Sequence, residues 1–185
     1  MPTFVFVRHA QGYHNVDGNK RGNIAYSDPK HIDASLTELG ILQSKIKNLP
    51  YEKFDAIYCS PMKRCRQTLL NIYQQSEKLP VVVDDRLIEQ PQGLYLCNKR
   101  VEKHEMLLSI PMAWNTDNVS DKNPFILNPE LDRYKIKSFT KMICEKYPSG
   151  IILIVSHGVW IQNWLKMYNN NNKFLDNCES IIVTL

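Results

Sequence analysis

Two short runs of wholly apolar residues most constrain the fold of this 185-residue chain. Residues 4–7 read FVFV and residues 151–155 read IILIV. Such runs, rich in β-branched and aromatic residues, indicate strands buried on both faces, as in a parallel sheet. Each run ends in a polar pair, Arg8-His9 and Ser156-His157. Because ligands of open α/β sheets bind beyond the carboxyl ends of the strands, the sequence predicts that both histidines lie at such an edge.

Further strands alternate with helices. Residues 54–59 predict a strand, and Ser60-Pro61 predicts the start of a helix that runs to about Gln75 with Arg64 in its first turn. Residues 80–83 predict a third strand, which leads to Glu89, and residues 181–185 predict a last strand. This order predicts an α/β fold, a three-layer α/β/α sandwich with a mostly parallel central sheet.

Two segments are less regular. Residues 11–34 form a polar stretch too long for a simple connector, which predicts a functional or mobile loop. Residues 90–129 predict an insertion over the active-site edge of the sheet, with a helix at 101–110 and an irregular stretch at 109–129. We therefore expect one domain over residues 1–185, with a lid-like insertion at about 90–129.

Two helices are predicted from their caps. Ser35, in competition with Thr37, starts a helix whose buried stripe is expected to be Leu39, Leu42 and Ile46, with Leu49, and which ends before Pro50. Asn128-Pro129 starts another helix, which Pro148 and the residues after it end.

Composition excludes several classes of protein. The net charge of +4 is spread along the chain, which fits an anionic ligand but not a nucleic-acid partner. The five cysteines form no C-x-x-C pair, so neither a disulfide framework nor a zinc knuckle is predicted. Neither a signal peptide nor a membrane span of about 20 apolar residues is apparent. We expect a cytoplasmic protein without a membrane association.

The predicted topology brings five chemistry-bearing side chains to one crevice: Arg8, His9, Arg64, Glu89 and His157. Two guanidinium groups suit the several oxygens of a phosphate. A neutral imidazole can attack the phosphorus and form a covalent intermediate. A carboxyl can protonate the leaving alcohol, and Glu89 is the best-placed carboxyl. The arginines already neutralise the phosphate charge, so we expect no metal and no cofactor.

Four motifs, in order along nearly the whole chain, resemble those of the histidine phosphatase superfamily, also called phosphoglycerate-mutase-like. They are Arg8-His9-Ala10 with Asn15, Leu36-Thr37-Glu38-Leu39-Gly40 with Gln43, Ser60-Pro61 with Arg64, and Ser156-His157-Gly158. Singly these motifs would be weak, but jointly they are specific.

The resemblance implies a role for each matching residue. His9 would be the phosphoryl-accepting nucleophile and Glu89 the acid and base. The phosphate would be held by Arg8, Asn15, Arg64 and His157, and His157 would also belong to the catalytic set. The residues after Glu89 match the family's acid segment only in part, and Ala10 replaces the usual glycine.

The resemblance predicts a phosphatase that acts on a small phosphorylated substrate. The chain lacks the Glu-Arg-His-Tyr-Gly segment expected of phosphoglycerate mutases. Two alternatives stay open, a mutase-type phosphotransferase and a catalytically weak phospho-ligand binding protein. The substrate is not predicted, and neither is the oligomeric state, although the last strand offers a surface for a homodimer.

Three further histidines are not part of these motifs. His14 is interpreted either as a residue at the rim of the site or as an exposed loop residue, while His31 and His104 are expected to face solvent.

Overall fold

A computed structural model of the chain describes residues 1–77 and 80–185. Its centre is a six-stranded sheet with the order β4-β3-β2-β5-β1-β6. The strands are β1 (Thr3–Arg8), β2 (Ala56–Cys59), β3 (Val82–Asp84), β4 (Asn115–Asn118), β5 (Ile151–Ser156) and β6 (Ser180–Thr184). Neighbouring strands are parallel except at the edge, where β6 runs antiparallel to β1. The mostly parallel sheet predicted from the two apolar runs is therefore confirmed.

Helices cover both faces of the sheet. They are α1 (Tyr13–Arg21), α2 (Glu38–Lys45), α3 (Lys63–Ile72), α4 (Lys103–Leu107), α5 (Pro129–Lys146) and α6 (Gly158–Tyr168). Alternate residues of each strand point to opposite faces. Phe4 and Phe6 accordingly pack with α5 and α6, whereas Val5 and Val7 pack with α3 and α4. Within residues 1–77 and 80–185, no helix is both long and apolar enough to cross a membrane.

The central strand pair sets the geometry of the site. β1 and β5 are adjacent and in register, with Arg8 opposite Ser156. The residues that follow, His9 and His157, therefore leave the sheet side by side. Both strands are buried along their lengths, so this spacing is held by packing as well as by backbone hydrogen bonds.

The segment at residues 11–34 is not the loop that its composition predicted. It contains α1, followed by two 3-10 helices at Gly22–Ser27 and Pro29–His31. Helix α1 is polar, so its residues gave no apolar stripe that would predict a helix. The Asn15 side chain caps this helix by accepting from the N–H of Gly12 at 2.9 Å. The prediction that His31 faces solvent is also wrong, because His31 is buried and its Nε2 lies 2.9 Å from Asp17 Oδ2.

Helix α2 turns a different face inward from the one predicted. Leu39, Leu42 and Ile46 are exposed, by 51%, 55% and 70%. The helix instead buries Gly40 and Ser44. An added Cβ on Gly40 would lie 2.1 Å from the Gln11 carbonyl oxygen, so close contact between backbones selects this face. Of the two competing caps, the observed one is Thr37, whose hydroxyl accepts from the Gly40 N–H at 3.0 Å.

Helix α3 starts later and ends earlier than predicted. Its N-cap is Met62 rather than Ser60, and it ends at Ile72 rather than near Gln75. In α5, by contrast, Asn128 caps the helix as predicted, because its side chain accepts from the Leu131 N–H.

Residues 90–129 contain more regular structure than their sequence indicated. The helix predicted at 101–110 is the shorter α4, and the stretch at 109–129 includes β4, which extends the sheet beyond β3. Arg100 ties this segment to the residues that follow β3, because its Nε and Nη2 donate to the two carboxylate oxygens of Asp85 at 3.0 and 3.1 Å. Arg100 is 1% exposed. A single domain with a lid-like insertion at these residues stays a prediction.

Replacing Asp85 with alanine is expected to lower the free energy of unfolding by about 3–5 kcal/mol, because a buried guanidinium loses its only ion-pair partner among the described residues. Urea denaturation followed by tryptophan fluorescence would measure the change. Asp117→Ala is the control, since Asp117 lies on the exposed edge strand β4 and is expected to cost under about 0.5 kcal/mol. Equal losses for the two variants would contradict this role for the ion pair.

Candidate active site

A cavity of about 190 Å³ opens beyond the carboxyl ends of the central strands. Five of the six side chains singled out in the sequence line it: Arg8, His9, Asn15, Arg64 and Glu89. His157, the sixth, lies behind the cavity wall, with its ring centroid 5.2 Å from that of His9. The structure thus brings all six side chains to one edge of the sheet.

The ring of His9 is fixed in one tautomer. Its Nδ1 lies 2.8 Å from the Ala10 carbonyl oxygen, which can only accept, so Nδ1 carries the hydrogen. Nε2 therefore presents a lone pair. Burial lowers the pKa of His9 well below its ordinary value, and the charges of Arg64 and Arg8 act in the same direction. The imidazole is accordingly neutral and ready to attack an electrophile.

Arg64 lies directly against this lone pair. Its Nε donates to His9 Nε2 at 3.3 Å, and its Nη1 donates to the Cys97 carbonyl oxygen at 2.9 Å. The side chain is fully buried, yet it forms no ion pair within the described residues. A buried guanidinium without a carboxylate partner favours binding of an anion.

Arg8, the last residue of β1, is the second guanidinium of the cavity. Its Nη1 donates to the Leu175 carbonyl oxygen at 2.7 Å, and its Cζ lies 4.8 Å from the ring centroid of Phe174. Its Nε is buried and has no hydrogen-bond partner in the described part of the chain. Burial lowers the pKa of Arg8, although the nearby Glu89 opposes this shift. An anion in the cavity would supply the missing partner.

Asn15 points its amide into the same space. Its Oδ1 accepts from the Gly12 N–H at 2.9 Å and from Asn177 Nδ2 at 3.4 Å. Since the oxygen is occupied, the side-chain NH₂ is the group left to donate to a ligand.

Glu89 is held at the N-terminus of α6. Its Oε1 accepts from the N–H groups of Gln90 and Trp160 at 2.9 and 3.0 Å, and its Oε2 accepts from the Val159 N–H at 3.4 Å. Burial nevertheless raises the pKa of Glu89, because desolvation of the charged carboxylate outweighs these hydrogen bonds and the attraction of Arg64. A carboxyl with a raised pKa, in a cavity that also holds a neutral imidazole, suits general acid catalysis.

His157 is supported from behind by a serine. Its Nε2 lies 2.8 Å from Ser60 Oγ, and the Cys65 thiol lies 3.4 Å from the same nitrogen. Burial lowers the pKa of His157 well below its ordinary value, as do the charges of Arg64 and Arg8, so the ring is neutral. Ser60, predicted as a helix cap, therefore orients this histidine instead. The Ser-Pro pattern alone could not distinguish the two roles.

The residues of this site lie within a segment that matches a known protein family. Residues 4–181 match the family model of the histidine phosphatase superfamily, branch 1. The chain belongs to this superfamily.

Two curated relatives with phosphatase names match about half of the chain. A probable phosphatase of Schizosaccharomyces pombe is 37% identical over 47% of this chain and 39% of its own length. Phosphoserine phosphatase 1 of Hydrogenobacter thermophilus is 34% identical over 51% of this chain and 42% of its own length. These matches thus span less than half the length of either relative.

A solved histidine phosphatase fold matches the whole chain. The alpha-ribazole phosphatase of Shigella flexneri superposes with a TM-score of 0.68 at 20% identity, over 99% of this chain and 90% of that one. At this identity the likeness concerns the fold. The three-layer architecture predicted from the sequence is the architecture of this superfamily.

The superfamily's usual glycine after the nucleophile position is Ala10 in this chain. Ala10 is fully buried, and its N–H donates to Thr68 Oγ1 at 3.0 Å. It is not among the residues with positive φ, which outside glycine are Asp33, Asn170 and Cys178. The backbone at Ala10 thus needs no glycine, and the methyl group is accommodated.

Several residues of the cavity were missed by the sequence reasoning. Tyr26, Tyr95 and Phe174 line it from three separate segments, and each precedes or follows a stretch without a recognisable motif. His14, left open between a rim residue and an exposed one, is 4% exposed and lines the cavity, with its ring centroid 5.4 Å from that of His9. These aromatic residues are far apart in the sequence, and no motif indicates that they lie close together in the structure.

Proposed function

We propose that this chain is a phosphomonoester hydrolase that works through a phosphohistidine at His9. The observation that carries the proposal is the His9 ring, neutral and hydrogen-bonded through Nδ1, with Nε2 beside the buried Arg64 guanidinium, which has no ion-pair partner in the described part of the chain. Membership of the superfamily and the phosphatases among its relatives support the same activity.

Binding of substrate would place the phosphoryl group between the two guanidinium groups. Arg8 Nε, which has no hydrogen-bond partner among the described residues, and the Asn15 amide would donate to its oxygens. Arg64 Nε would exchange its hydrogen bond with His9 Nε2 for one to a phosphoryl oxygen, which frees the lone pair for attack. His157, neutral and oriented by Ser60, would support His9 and the phosphoryl group from the β5 side.

The first chemical step forms the bond between His9 Nε2 and phosphorus and breaks the bond between phosphorus and the leaving oxygen. Glu89 gives its proton to that oxygen, so the product leaves as an alcohol. In the second step a water molecule attacks the phosphorus, its proton passes to the Glu89 carboxylate, and the bond to His9 breaks. Inorganic phosphate is released, and both residues return to their starting protonation states.

The proposal needs no metal and no cofactor, because Arg8 and Arg64 supply the positive charge that stabilises the phosphoryl oxygens. A small phosphorylated molecule is the proposed ligand, and the cytoplasm the proposed compartment. A mutase-type transfer is not favoured, since the mutase segment is not found in the sequence and phosphatases are among the relatives.

The test is to trap the intermediate. Protein mixed with a ³²P-labelled aryl phosphate and quenched in alkali is expected to carry a phosphoryl label that acid removes, and peptide mapping is expected to locate it at residue 9. Free phosphate should appear at a steady rate afterwards. Bound phosphate without turnover or label would instead indicate a phospho-ligand binding protein. Turnover that requires added bisphosphate would indicate a mutase.

A further inference from the structure

One wall of the cavity is a continuous row of aromatic rings, His14, Tyr26 and Tyr95, here called the aromatic wall. It begins at the proposed nucleophile, because the His14 ring lies 5.4 Å from that of His9. The Tyr26 centroid lies 6.2 Å from that of His14, and the Tyr95 centroid 5.7 Å from that of Tyr26 in an edge-to-face arrangement. These spacings are those of rings in contact.

The aromatic wall is held in place by its surroundings. Gly18 of α1 leaves room for Tyr26, since an added Cβ on Gly18 would lie 2.4–2.5 Å from the tyrosine ring and hydroxyl. His14 is buried, and its Nδ1 has no hydrogen-bond partner in the described residues. Nδ1 lies against Gly12, since an added Cβ on Gly12 would be 2.7 Å from it, so the His14 ring is held by close packing on that side.

Charge is confined to the floor of the cavity. Among its described lining residues the only cationic side chains are Arg8 and Arg64, and the only carboxyl group belongs to Glu89. Burial lowers the pKa of His14 well below its ordinary value, as the charge of Arg64 also does, so that ring is neutral. A phosphoryl group uses both guanidiniums. A second acidic group on the substrate would therefore find no cation along the aromatic wall.

The size of the cavity limits what the wall can cover. An apolar cavity of about 150 Å³ is enough to hold benzene. The cavity of about 190 Å³ therefore has room for a phosphoryl group and for part of one ring beside the wall, with the remainder of the leaving group towards the opening.

We infer that the site prefers phosphomonoesters whose leaving group carries an uncharged aromatic ring over those whose small aliphatic leaving group carries a second acidic group. This inference rests on the proposed function and names the substrate class of the same site. Tyr26 and Tyr95 would contact the ring of the leaving group and would thus determine specificity.

The test compares four substrates whose leaving groups are all aliphatic alcohols, so that their chemical reactivity is similar: 2-phenylethyl phosphate, propyl phosphate, phosphoserine and 3-phosphoglycerate. The wild-type protein is expected to give the highest kcat/KM with 2-phenylethyl phosphate, about two- to tenfold above propyl phosphate, the range that a favourable ring contact supplies. The two acidic substrates are expected to fall below propyl phosphate.

Variants separate the aromatic wall from general hydrophobicity. Tyr95→Leu is expected to reduce the ratio of kcat/KM between 2-phenylethyl and propyl phosphate to near one. Gly18→Ala, which displaces Tyr26, is expected to reduce the same ratio in part. Tyr134→Leu is the matched control, because Tyr134 is 65% exposed on α5, and it should leave the ratio unchanged.

The outcomes distinguish this inference from the proposed function. A preference for phosphoserine or 3-phosphoglycerate, with His9-dependent turnover, overturns the inference and leaves the phosphatase standing. Turnover of activated aryl phosphates but of none of the four alkyl esters would also overturn the inference. The same holds for a preference for 2-phenylethyl phosphate that is unchanged in Tyr95→Leu. Failure of every phosphate ester to react, with no label on His9, overturns the proposed function itself.

Discussion

The His9→Ala variant is expected to lose both the phosphoryl label and turnover, with a fall in rate on the order of 10⁴–10⁶-fold, as when other enzymes lose their nucleophile. The cause is specific, because Nε2 is the atom that would bond to phosphorus and its lone pair is held available by the Nδ1 hydrogen bond to Ala10. The two guanidinium groups remain in the variant. Binding of inorganic phosphate is therefore expected to persist, and calorimetry would measure it.

Two controls make the His9 result interpretable. His104→Ala removes an exposed histidine of α4 and is expected to leave labelling and turnover unchanged. Added imidazole is expected to restore part of the turnover of His9→Ala without labelling the protein, since a free ring can occupy the space of the missing one. Full activity of His9→Ala would place the nucleophile at another residue.

Glu89→Gln is expected to reduce kcat for alkyl phosphates by about 10²–10⁴-fold, the contribution typical of a general acid. Glutamine retains the shape of the side chain and an oxygen that can accept from the N–H groups of Gln90 and Trp160, so the fold should persist. It cannot donate a proton as a carboxylic acid does.

The leaving group provides the control for the Glu89 prediction. 4-Nitrophenolate leaves without a proton, so formation of the phosphoenzyme from 4-nitrophenyl phosphate is expected to change little in Glu89→Gln. Its hydrolysis should become slow, because no base activates water, and the label should accumulate on His9. Equal losses for alkyl and nitrophenyl esters would contradict an acid role for Glu89.

The pH dependence of wild-type kcat/KM follows from the same two groups. The reaction needs His9 neutral, and its pKa is lowered by burial, so the acidic limb should lie well below about 6.5, the pKa of a free imidazole. It also needs Glu89 protonated. Burial raises the pKa of Glu89, so the alkaline limb should lie above about 4.3, that of a free glutamate. The alkaline limb should therefore appear with alkyl phosphates and be absent with 4-nitrophenyl phosphate, whose leaving group needs no proton, whereas the acidic limb should appear with both.

The sequence predicted those features that depend on one strand or one cap. The runs at 4–7 and 151–155 are buried on both faces, as strands in the middle of a parallel sheet are. The residues after them, His9 and His157, consequently meet. Asn128 is a strong cap that no tertiary contact overrides.

The predictions that failed concern a helix face and a side-chain role that are decided by contacts with distant parts of the chain. Hydrophobic periodicity assigned Leu39, Leu42 and Ile46 to the core, yet the helix turns Gly40 inward because only glycine permits the approach of the Gln11 backbone. Ser60 looked like a helix cap, but its hydroxyl bonds the ring of His157, 97 residues later. A local sequence pattern does not reveal a contact between residues that are so far apart in the chain.

The aromatic wall was not predicted for a related reason. Tyr26 and Tyr95 lie in segments that have weak periodicity. Their rings meet because the 3-10 helix at Gly22–Ser27 and the 90–129 segment fold against each other. A single sequence offers no means to pair them.

The backbone of His9 is also tied to a distant part of the chain. Its carbonyl oxygen accepts from the Cys178 N–H at 3.2 Å and from Asn177 Nδ2 at 3.1 Å, a separation of 168 residues in the second case. During synthesis His9 leaves the ribosome long before these partners do. A nascent chain thus cannot complete these hydrogen bonds early, and the proposed site is fully assembled only once the residues just before β6 have docked.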